Sequence, residues 1–203
     1  MNTIRSVCVY CGSSPGNDPA YVEAGEALGA ALAKSGVTLV YGGGLHGVMG
    51  AVARGAQRNN GKIAAIIPDF LVNREANQAV LTMFDDITVT TTMHERKQKM
   101  FERSDAFVAL PGGIGTIEEI IEVMTWAQIG RHRKPIAFAN IKGFWDPMLG
   151  FLDQLRATGF IHSGNLVQPL VIEQPEAILP ALMTVANQDG APTQGVSAVI
   201  DKL

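Results

Sequence analysis

The sequence predicts an α/β fold in a single domain, with a doubly wound and mainly parallel sheet. Short apolar runs of strand length alternate along the chain with alanine-rich or amphipathic segments of helical periodicity. This alternation indicates βαβ units joined by right-handed crossovers. At 203 residues, of which 47% are hydrophobic and 17% charged, the chain has room for one sizeable core rather than two full domains.

The predicted strands are short and apolar, and several are rich in β-branched side chains, as buried strands of a parallel sheet are expected to be. In chain order they are residues 5–10, 37–41, 62–67, 86–90, 106–110, 135–139 and, as a short last strand, 170–172. Glycine, proline or asparagine clusters follow most of them. The sheet is therefore expected to carry its irregular loops at the strand ends.

The predicted helices lie between these strands. They cover residues 21–34, a segment ending near residue 58, and residues 93–104, 117–129, 144–158 and 175–186. The first is capped by Asp18, has Pro19 at its first position, and is closed by Gly36. Helical periodicity weakens over residues 70–84, which we predict to be a mobile or lid-like segment. Residues 1–187 form the predicted domain, and residues 188–203 a C-terminal tail.

Composition excludes several classes of function. The formal net charge of −3 provides no global basic field for nucleic acid or an anionic membrane surface. No apolar run reaches about 18 residues, and the N-terminus does not resemble a signal peptide, so we expect a soluble cytoplasmic protein. Cys8 and Cys11 should point to opposite faces of a strand and its turn, which disfavours a disulfide. No ligand cluster predicts a metal, and no cofactor is expected.

A glycine-rich turn follows the fifth strand and carries the strongest functional signal. Residues 111–119 have the pattern Pro-Gly-Gly-x-Gly-Thr-x-x-Glu and connect an apolar strand to a helix. Glycines leave backbone N–H groups unshielded, and a helix N-terminus adds a partial positive charge. The turn is therefore expected to bind an anion, most plausibly a phosphate.

Thr116 and Glu119 within this turn allow two interpretations. Their spacing matches a capping box, in which a hydroxyl at the N-cap and a carboxylate three residues later satisfy each other's backbone donors. Alternatively, Glu119 is a base or a water-orienting group beside the bound ligand. The nearby carboxylates of Glu118 and Glu122 form a charge cluster that favours a functional role.

A second glycine turn follows the second strand. Gly42-x-Gly44-x-x-Gly47, with Asp69 after the next strand, matches the pattern of a dinucleotide-binding site. However, the match follows the second strand rather than the first. Two phosphate-type turns in one small sheet suit a single nucleotide at least as well as NAD.

The polar helix over residues 93–104 begins His94-Glu95-x-x-Gln98, which lacks the second histidine of a zinc protease. Its charged residues allow two interpretations. They form either a solvated face, or a boundary at which Arg96 or Lys97 borders the apolar side of the helix.

Two of these segments together resemble the Lonely Guy family. They are Met-His-Glu-Arg-Lys at residues 93–97 and the glycine turn at residues 111–119, and residues 41–44 and 11–13 add to the likeness. The similarity extends over about residues 4–185. Members of the family are cytokinin riboside 5′-monophosphate phosphoribohydrolases, long described as lysine decarboxylases. The resemblance implies a Rossmann-like homodimer with active sites near the subunit interface. It further implies that the chain hydrolyses AMP or N6-substituted AMP to the free base and ribose 5-phosphate.

The resemblance also implies which residues act. Arg96 and Glu119 match the catalytic pair of the family. The implied substrate contacts come from both glycine turns and from neighbouring elements, and they are Lys97, Gly112, Gly113, Ile114, Gly115, Thr116, Thr125, Gly43, Gly44 and Ser13. One departure concerns a glutamate that many relatives place before the polar helix, where this chain has Gln78, with Glu75 one helical turn away.

The chemistry of glycosidic cleavage fits this pair. Breaking the bond between ribose and base develops positive charge on the sugar and negative charge on the base. We hypothesise that Glu119 stabilises the sugar cation and positions or deprotonates water, and that Arg96 either anchors the substrate or assists the leaving base.

Two other functions are compatible with the fold. A carrier protein, such as the molybdenum-cofactor carriers, would hold a phosphorylated ligand without turning it over, but the presence of both Arg96 and Glu119 favours the enzyme. A lysine decarboxylase is disfavoured because the chain is short for a pyridoxal-phosphate enzyme and has no recognisable pyridoxal-binding lysine.

Overall fold

Seven parallel strands form one sheet in the part of the chain that the structure describes. The computed structural model describes residues 4–75, 84–161 and 168–188. The strands are β1 (Ser6–Tyr10), β2 (Thr38–Tyr41), β3 (Ile63–Pro68), β4 (Asp86–Thr90), β5 (Ala106–Ala109), β6 (Ile136–Ala139) and β7 (Leu170–Ile172). Their order in the sheet is β4-β3-β2-β1-β5-β6-β7, and each neighbouring pair is parallel. The predicted α/β class is confirmed.

Helices cover both faces of this sheet. They are α1 (Pro19–Lys34), α2 (Gly47–Arg58), α3 (Asp69–Glu75), α4 (Met93–Glu102), α5 (Ile114–Gln128), α6 (Asp146–Ala157) and α7 (Pro175–Gln188). One core joins α1, α2 and α7 to alternate strand residues such as Val7 and Val9, and the other joins α4, α5 and α6 to the opposite side chains, such as Cys8. The sheet is therefore doubly wound, as predicted.

Most predicted boundaries agree with the structure, and the exceptions have local causes. Asp18 accepts a hydrogen bond from Ala20 N at 3.0 Å and caps α1, as predicted. The start of the predicted lid-like segment instead forms α3, which begins at Asp69, while residues 76–83 lie outside the described part of the chain. Of the predicted tail, Gln188 is the last residue of α7, and residues 189–203 also lie outside it.

The topology determines where a ligand site can form. β1 is hydrogen-bonded to β2 on one side and to β5 on the other. The chain therefore leaves the carboxyl ends of β1 and β5 in opposite directions and opens a crevice between the two loops. The predicted glycine turn at residues 111–113 follows β5 directly and borders this crevice.

The two cysteines belong to the core. Cys8 and Cys11 are buried and free, and they pack in the two different hydrophobic cores on opposite sides of the sheet. Burial raises the pKa of both thiols, so the reactive thiolate is disfavoured. Their positions on opposite sides of the sheet agree with the predicted orientation of the two side chains. Among the described residues, no helix is both long and apolar enough to cross a membrane.

His132 lies in an aromatic cluster between α5 and β6. Its ring contacts Phe101 at 5.1 Å between centroids, its Nε2 lies 2.9 Å from Val123 O, and its Nδ1 accepts a hydrogen bond from Lys134 N at 3.1 Å. This pattern fits a neutral imidazole, because a protonated Nδ1 could not accept. Burial and the positive charge of Lys134 lower the pKa of His132 below its ordinary value of 6.5.

Stability should therefore depend on pH through His132. Below about pH 6.5 the unfolded chain takes up a proton that the folded chain binds only at lower pH, so stability is lost as the pH falls through the folded pKa. We expect the melting temperature to fall more steeply with acidification in the wild-type protein than in His132→Gln. His94→Gln, at an exposed position of α4, serves as the control and should keep the wild-type slope. Equal slopes for wild type and His132→Gln would contradict this assignment.

Candidate active site

The crevice between the loops after β1 and β5 contains a cavity of about 580 Å³. Residues 12–18 line one side, residues 111–113 line another, and Val48, Tyr21 and Phe144 complete the wall. Tyr21 and Phe144 meet edge to face, with their ring centroids 5.4 Å apart. The cavity therefore lies at the position that the sheet topology predicts for a ligand.

Backbone contacts hold the two glycine turns around the loop after β1. Gly12 N donates to Pro111 O at 3.1 Å, and Met49 N donates to Gly12 O at 3.0 Å. A side chain on Gly112 would collide with Thr116, and its Cβ would lie only 2.7 Å from Gly12 N. The close approach of these backbones therefore requires glycine at position 112.

The N-terminus of α5 has no side-chain cap. Gly113 is the N-cap residue, and the first intrahelical bond runs from Ile117 N to Gly113 O. The N–H groups of residues 114–116 consequently have no acceptor within the helix. Together with the helix dipole, they provide the donors that an anion such as a phosphate needs.

The predicted capping box is wrong. Thr116 is the third residue of α5 rather than its N-cap, because the extended backbone of Gly113 starts the helix three residues earlier than predicted. Glu119 therefore lies well inside the helix, where no capping role is available to it. Both Thr116 and Glu119 are buried.

Glu119 forms an ion pair with Arg96 of α4. The Nη1 atom of Arg96 lies 3.5 Å from Oε1 of Glu119, and the two residues are only 6% and 8% exposed. Nη1 also lies 3.9 Å from the thioether sulfur of Met93. The Nε atom of Arg96 is buried and has no hydrogen-bond partner among the described residues. The pair thus combines a buried positive and a buried negative group between α4 and α5, with the Nε donor of Arg96 still unsatisfied.

Lys97 forms a second link between α4 and α5. Its Nζ donates to Glu118 at 2.6 Å and to Glu122 at 3.1 Å. Burial alone would lower the pKa of Lys97, but the hydrogen bonds to the two carboxylates outweigh it and raise the pKa. Arg96 and Lys97 therefore oppose the repulsion among the three carboxylates of Glu118, Glu119 and Glu122. Arg96 and Lys97 do not form a solvated face, which decides between the two interpretations of this helix.

The structure places three of the residues predicted for the site in the wall of the cavity, and Arg96 and Glu119 are not among its lining residues. Ser13 lies in the loop that lines the cavity, next to Gly112 and Gly113. Thr125 lies farther along α5, exposed, with its hydroxyl donating to Ile121 O at 2.8 Å. Ile114 is 87% exposed, and no described atom lies near the open side of Gly115. Gln78 and the side chain of Glu75 lie outside the described part of the chain.

The structure leaves little space for a dinucleotide at the second glycine turn. The N–H of Gly44 already donates to the sulfur of Met49 at 3.2 Å. The guanidinium of Arg96 fills the space beside Gly42. A pyrophosphate would have to displace both groups. Gly43 has a φ of +81°, which glycine adopts at no cost.

Several residues of the site were not predicted. Tyr21 and Phe144 line the cavity, Met93 touches Arg96, and Gly42 packs against it. The helical spacing of Met93 and Arg96, three residues apart, is a signal that could have indicated their contact. Tyr21 and Phe144 are far apart in sequence, and no spacing rule connects them. Across the described residues, no group of three or more histidine, cysteine, aspartate or glutamate residues could hold a metal ion.

Comparison with known proteins identifies related sequences. The family model described as possible lysine decarboxylase matches residues 49–182. A rice protein (Oryza sativa subsp. japonica) named probable cytokinin riboside 5′-monophosphate phosphoribohydrolase LOGL9 is 43% identical over 177 residues, covering 87% of this chain and 76% of the relative. A second rice protein, named cytokinin riboside 5′-monophosphate phosphoribohydrolase LOG, is 41% identical over 173 residues, covering 85% and 69%.

Among solved structures, the molybdenum cofactor binding protein from the phototrophic bacterium Rippkaea orientalis is similar. It has a TM-score of 0.67 and 21% sequence identity, and the alignment covers 91% of this chain and 99% of that one. At this identity the likeness shows a shared fold and no more.

Replacing Lys97 should loosen the contact between α4 and α5. Lys97→Met removes two ion pairs, each contributing at most about 1 kcal/mol, and leaves Glu118 and Glu122 to repel each other. We expect a lower melting temperature, with a smaller loss at high salt because salt screens the repulsion. Lys99→Met is the matched control, since Lys99 lies on the same helix and its side chain has no ion pair among the described residues. An equally large decrease in melting temperature for Lys99→Met would show that the ion pairs contribute little.

Proposed function

Since the chain belongs to the Lonely Guy family, whose model is described as possible lysine decarboxylase, we propose that it hydrolyses the N-glycosidic bond of cytokinin riboside 5′-monophosphates. The products are the free base and ribose 5-phosphate. The family predicted from the two sequence segments is confirmed. The relatives that carry this activity in their names are about 40% identical to the chain over most of its length.

The buried pair of Arg96 and Glu119 is the observation that carries the proposal. Departure of the base leaves positive charge near C1′ of the ribose, which a carboxylate stabilises. The base leaves with negative charge, which a guanidinium neutralises. Burial strengthens both effects, because charges interact more strongly where water is excluded. A pair of opposite charges 3.5 Å apart can therefore serve both ends of the breaking bond.

We assign the remaining roles by position. The backbone of residues 112–116 binds the 5′-phosphate at the N-terminus of α5, with Ser13 as an additional donor. Glu119, farther inside the same helix, faces the sugar and orients the attacking water. The N–H donors of Arg96 that do not contact Glu119 assist the departing base. The phosphate and the scissile bond are thus held by two parts of one element.

The carrier alternative has weaker support. The similar molybdenum cofactor binding protein shares the fold at 21% identity, whereas the named phosphoribohydrolases share about twice that identity. A carrier also has no need of a buried carboxylate and guanidinium beside its ligand. The enzyme therefore accounts for the site better.

The finer predictions extend this proposal. We propose that the chain accepts AMP as well as N6-substituted AMP, and that it acts in the cytoplasm. We further propose a homodimer formed through the exposed face of α5, where Ile114 and Ile117 are 87% and 40% exposed, together with the C-cap residue Ile129, which is 70% exposed. Thr125 lies on the same face. Its predicted contact with substrate would therefore be made to the site of the partner subunit.

Product analysis tests the proposed reaction. The purified protein is incubated with AMP and with isopentenyladenosine monophosphate, and the free base and ribose 5-phosphate are measured. Adenosine, which lacks the phosphate, should be a poor substrate because the donors at the N-terminus of α5 then have no ligand. Tight binding of AMP without release of base would favour the carrier.

Replacing Glu119 should abolish most of the activity. Glu119→Gln keeps the shape of the side chain but removes the charge, and we expect the rate of base release to fall about 100-fold or more. The melting temperature should also fall, because Arg96 becomes a buried cation without a counter-charge. Glu118→Gln is the matched control, since Glu118 is largely exposed and Lys97 keeps its bond to Glu122. Retained turnover in Glu119→Gln would remove Glu119 from the mechanism.

The molar mass of the protein in solution tests the proposed dimer. Light scattering after gel filtration should give twice the 21.6 kDa of one chain. Ile129→Glu places a charge on the exposed apolar residue that follows α5 and should yield monomers with reduced activity. Phe160→Glu, which introduces the same charge at another exposed apolar residue, should leave the dimer intact. A monomeric wild-type protein with full activity would contradict the proposed assembly.

A further inference from the structure

Gly42 lies directly against the guanidinium of Arg96. It is the first residue after β2, whereas Arg96 reaches it from α4. A Cβ atom built on Gly42 would overlap Nη2 of Arg96 and would lie 3.3 Å from its Cζ and 3.5 Å from the sulfur of Met49. The space that a side chain at position 42 would need is therefore occupied by the catalytic cation.

We infer that Gly42 is a positioning residue for the proposed reaction, because it provides the clearance that Arg96 needs to reach Glu119. This inference rests on the proposed function through the role of Arg96. It gives the first glycine of the dinucleotide-like pattern a different task. The glycine does not admit a phosphate but admits a guanidinium from another helix.

The backbone at this position does not itself require glycine. Gly43 and Gly47 have φ angles of +81° and +58°, in the left-handed region that other residues avoid. Gly42 is not among the residues with positive φ. An alanine at position 42 therefore meets no conformational penalty, and its cost arises from the space beside Arg96.

Arg96 has little freedom to move aside while keeping its role. It is 6% exposed, and its Nη1 contacts Glu119 and Met93 on the side away from Gly42. The end of a long side chain can still shift within the fold, so a methyl group at position 42 displaces the guanidinium rather than the backbone. A displacement of about 1 Å in a catalytic group can reduce the rate about 100-fold.

Gly42→Ala tests the inference. We expect kcat/KM for AMP to fall about 100-fold, while the melting temperature stays close to that of the wild-type protein. Gly150→Ala is the control, because a Cβ at that exposed position of α6 meets no described atom. It should leave the activity unchanged. Wild-type activity in Gly42→Ala would overturn the inference.

A double-mutant cycle separates positioning from a general structural effect. Lysine at position 96 lacks the Nη2 atom that the new methyl group would displace. Gly42→Ala should therefore cost much less kcat/KM in an Arg96→Lys background than in the wild type. If Gly42→Ala also lowers the melting temperature, the decrease should likewise be smaller in the Arg96→Lys background. Equal losses in both backgrounds would show that Gly42 acts independently of Arg96 and would overturn the inference.

Failure of the proposed function gives a different result. If the wild-type protein releases no base, the hydrolase proposal fails, and AMP affinity measured by calorimetry replaces kcat/KM in the same cycle. Non-additive losses of affinity would still support positioning of Arg96 by Gly42, and additive losses would overturn it.

Discussion

The buried ion pair of Arg96 and Glu119 imposes the main constraint on this structure. Removing two charges from water is costly, and a buried pair often contributes less to stability than apolar side chains of the same volume would. At 3.5 Å the pair is also not an ideal hydrogen bond. Its presence is therefore better explained by chemistry than by folding. Two surrounding features hold the two charges together, namely the link through Lys97 and the lack of a side chain at Gly42, where the guanidinium lies.

The proposed function separates the recognition of phosphate from the cleavage of the bond. In this proposal, backbone N–H groups and the dipole of α5 supply the phosphate donors at the crevice between β1 and β5. The guanidinium of Arg96 is consequently not needed to neutralise the phosphate. It lies instead at the end of β2, beside Glu119, where a cation can act on the leaving base.

Much of the fold was predictable because its signals are local. Apolar runs gave the strands, and the Asp18 cap with Pro19 gave the start of α1. The start of α5 was placed three residues late because its N-cap is Gly113, which has no side chain to indicate a cap, whereas Thr116 matches the usual pattern. Most of α3 (Asp69–Glu75) falls in the segment, residues 70–84, whose helical periodicity is weak. Prediction was wrong where the backbone, rather than a side chain, determines the boundary.

The site was predictable only in part, because its decisive contacts join distant segments. Arg96 and Glu119 could be named from a family resemblance, but no pattern along the chain shows that α4 and α5 bring them to 3.5 Å. Local patterns even suggested other roles, a cap for Glu119 and phosphate binding for the turn that begins at Gly42. In the structure Glu119 instead forms an ion pair with Arg96, and Gly42 packs against the guanidinium of Arg96. A motif in this fold therefore gains its function from the group that another element places against it.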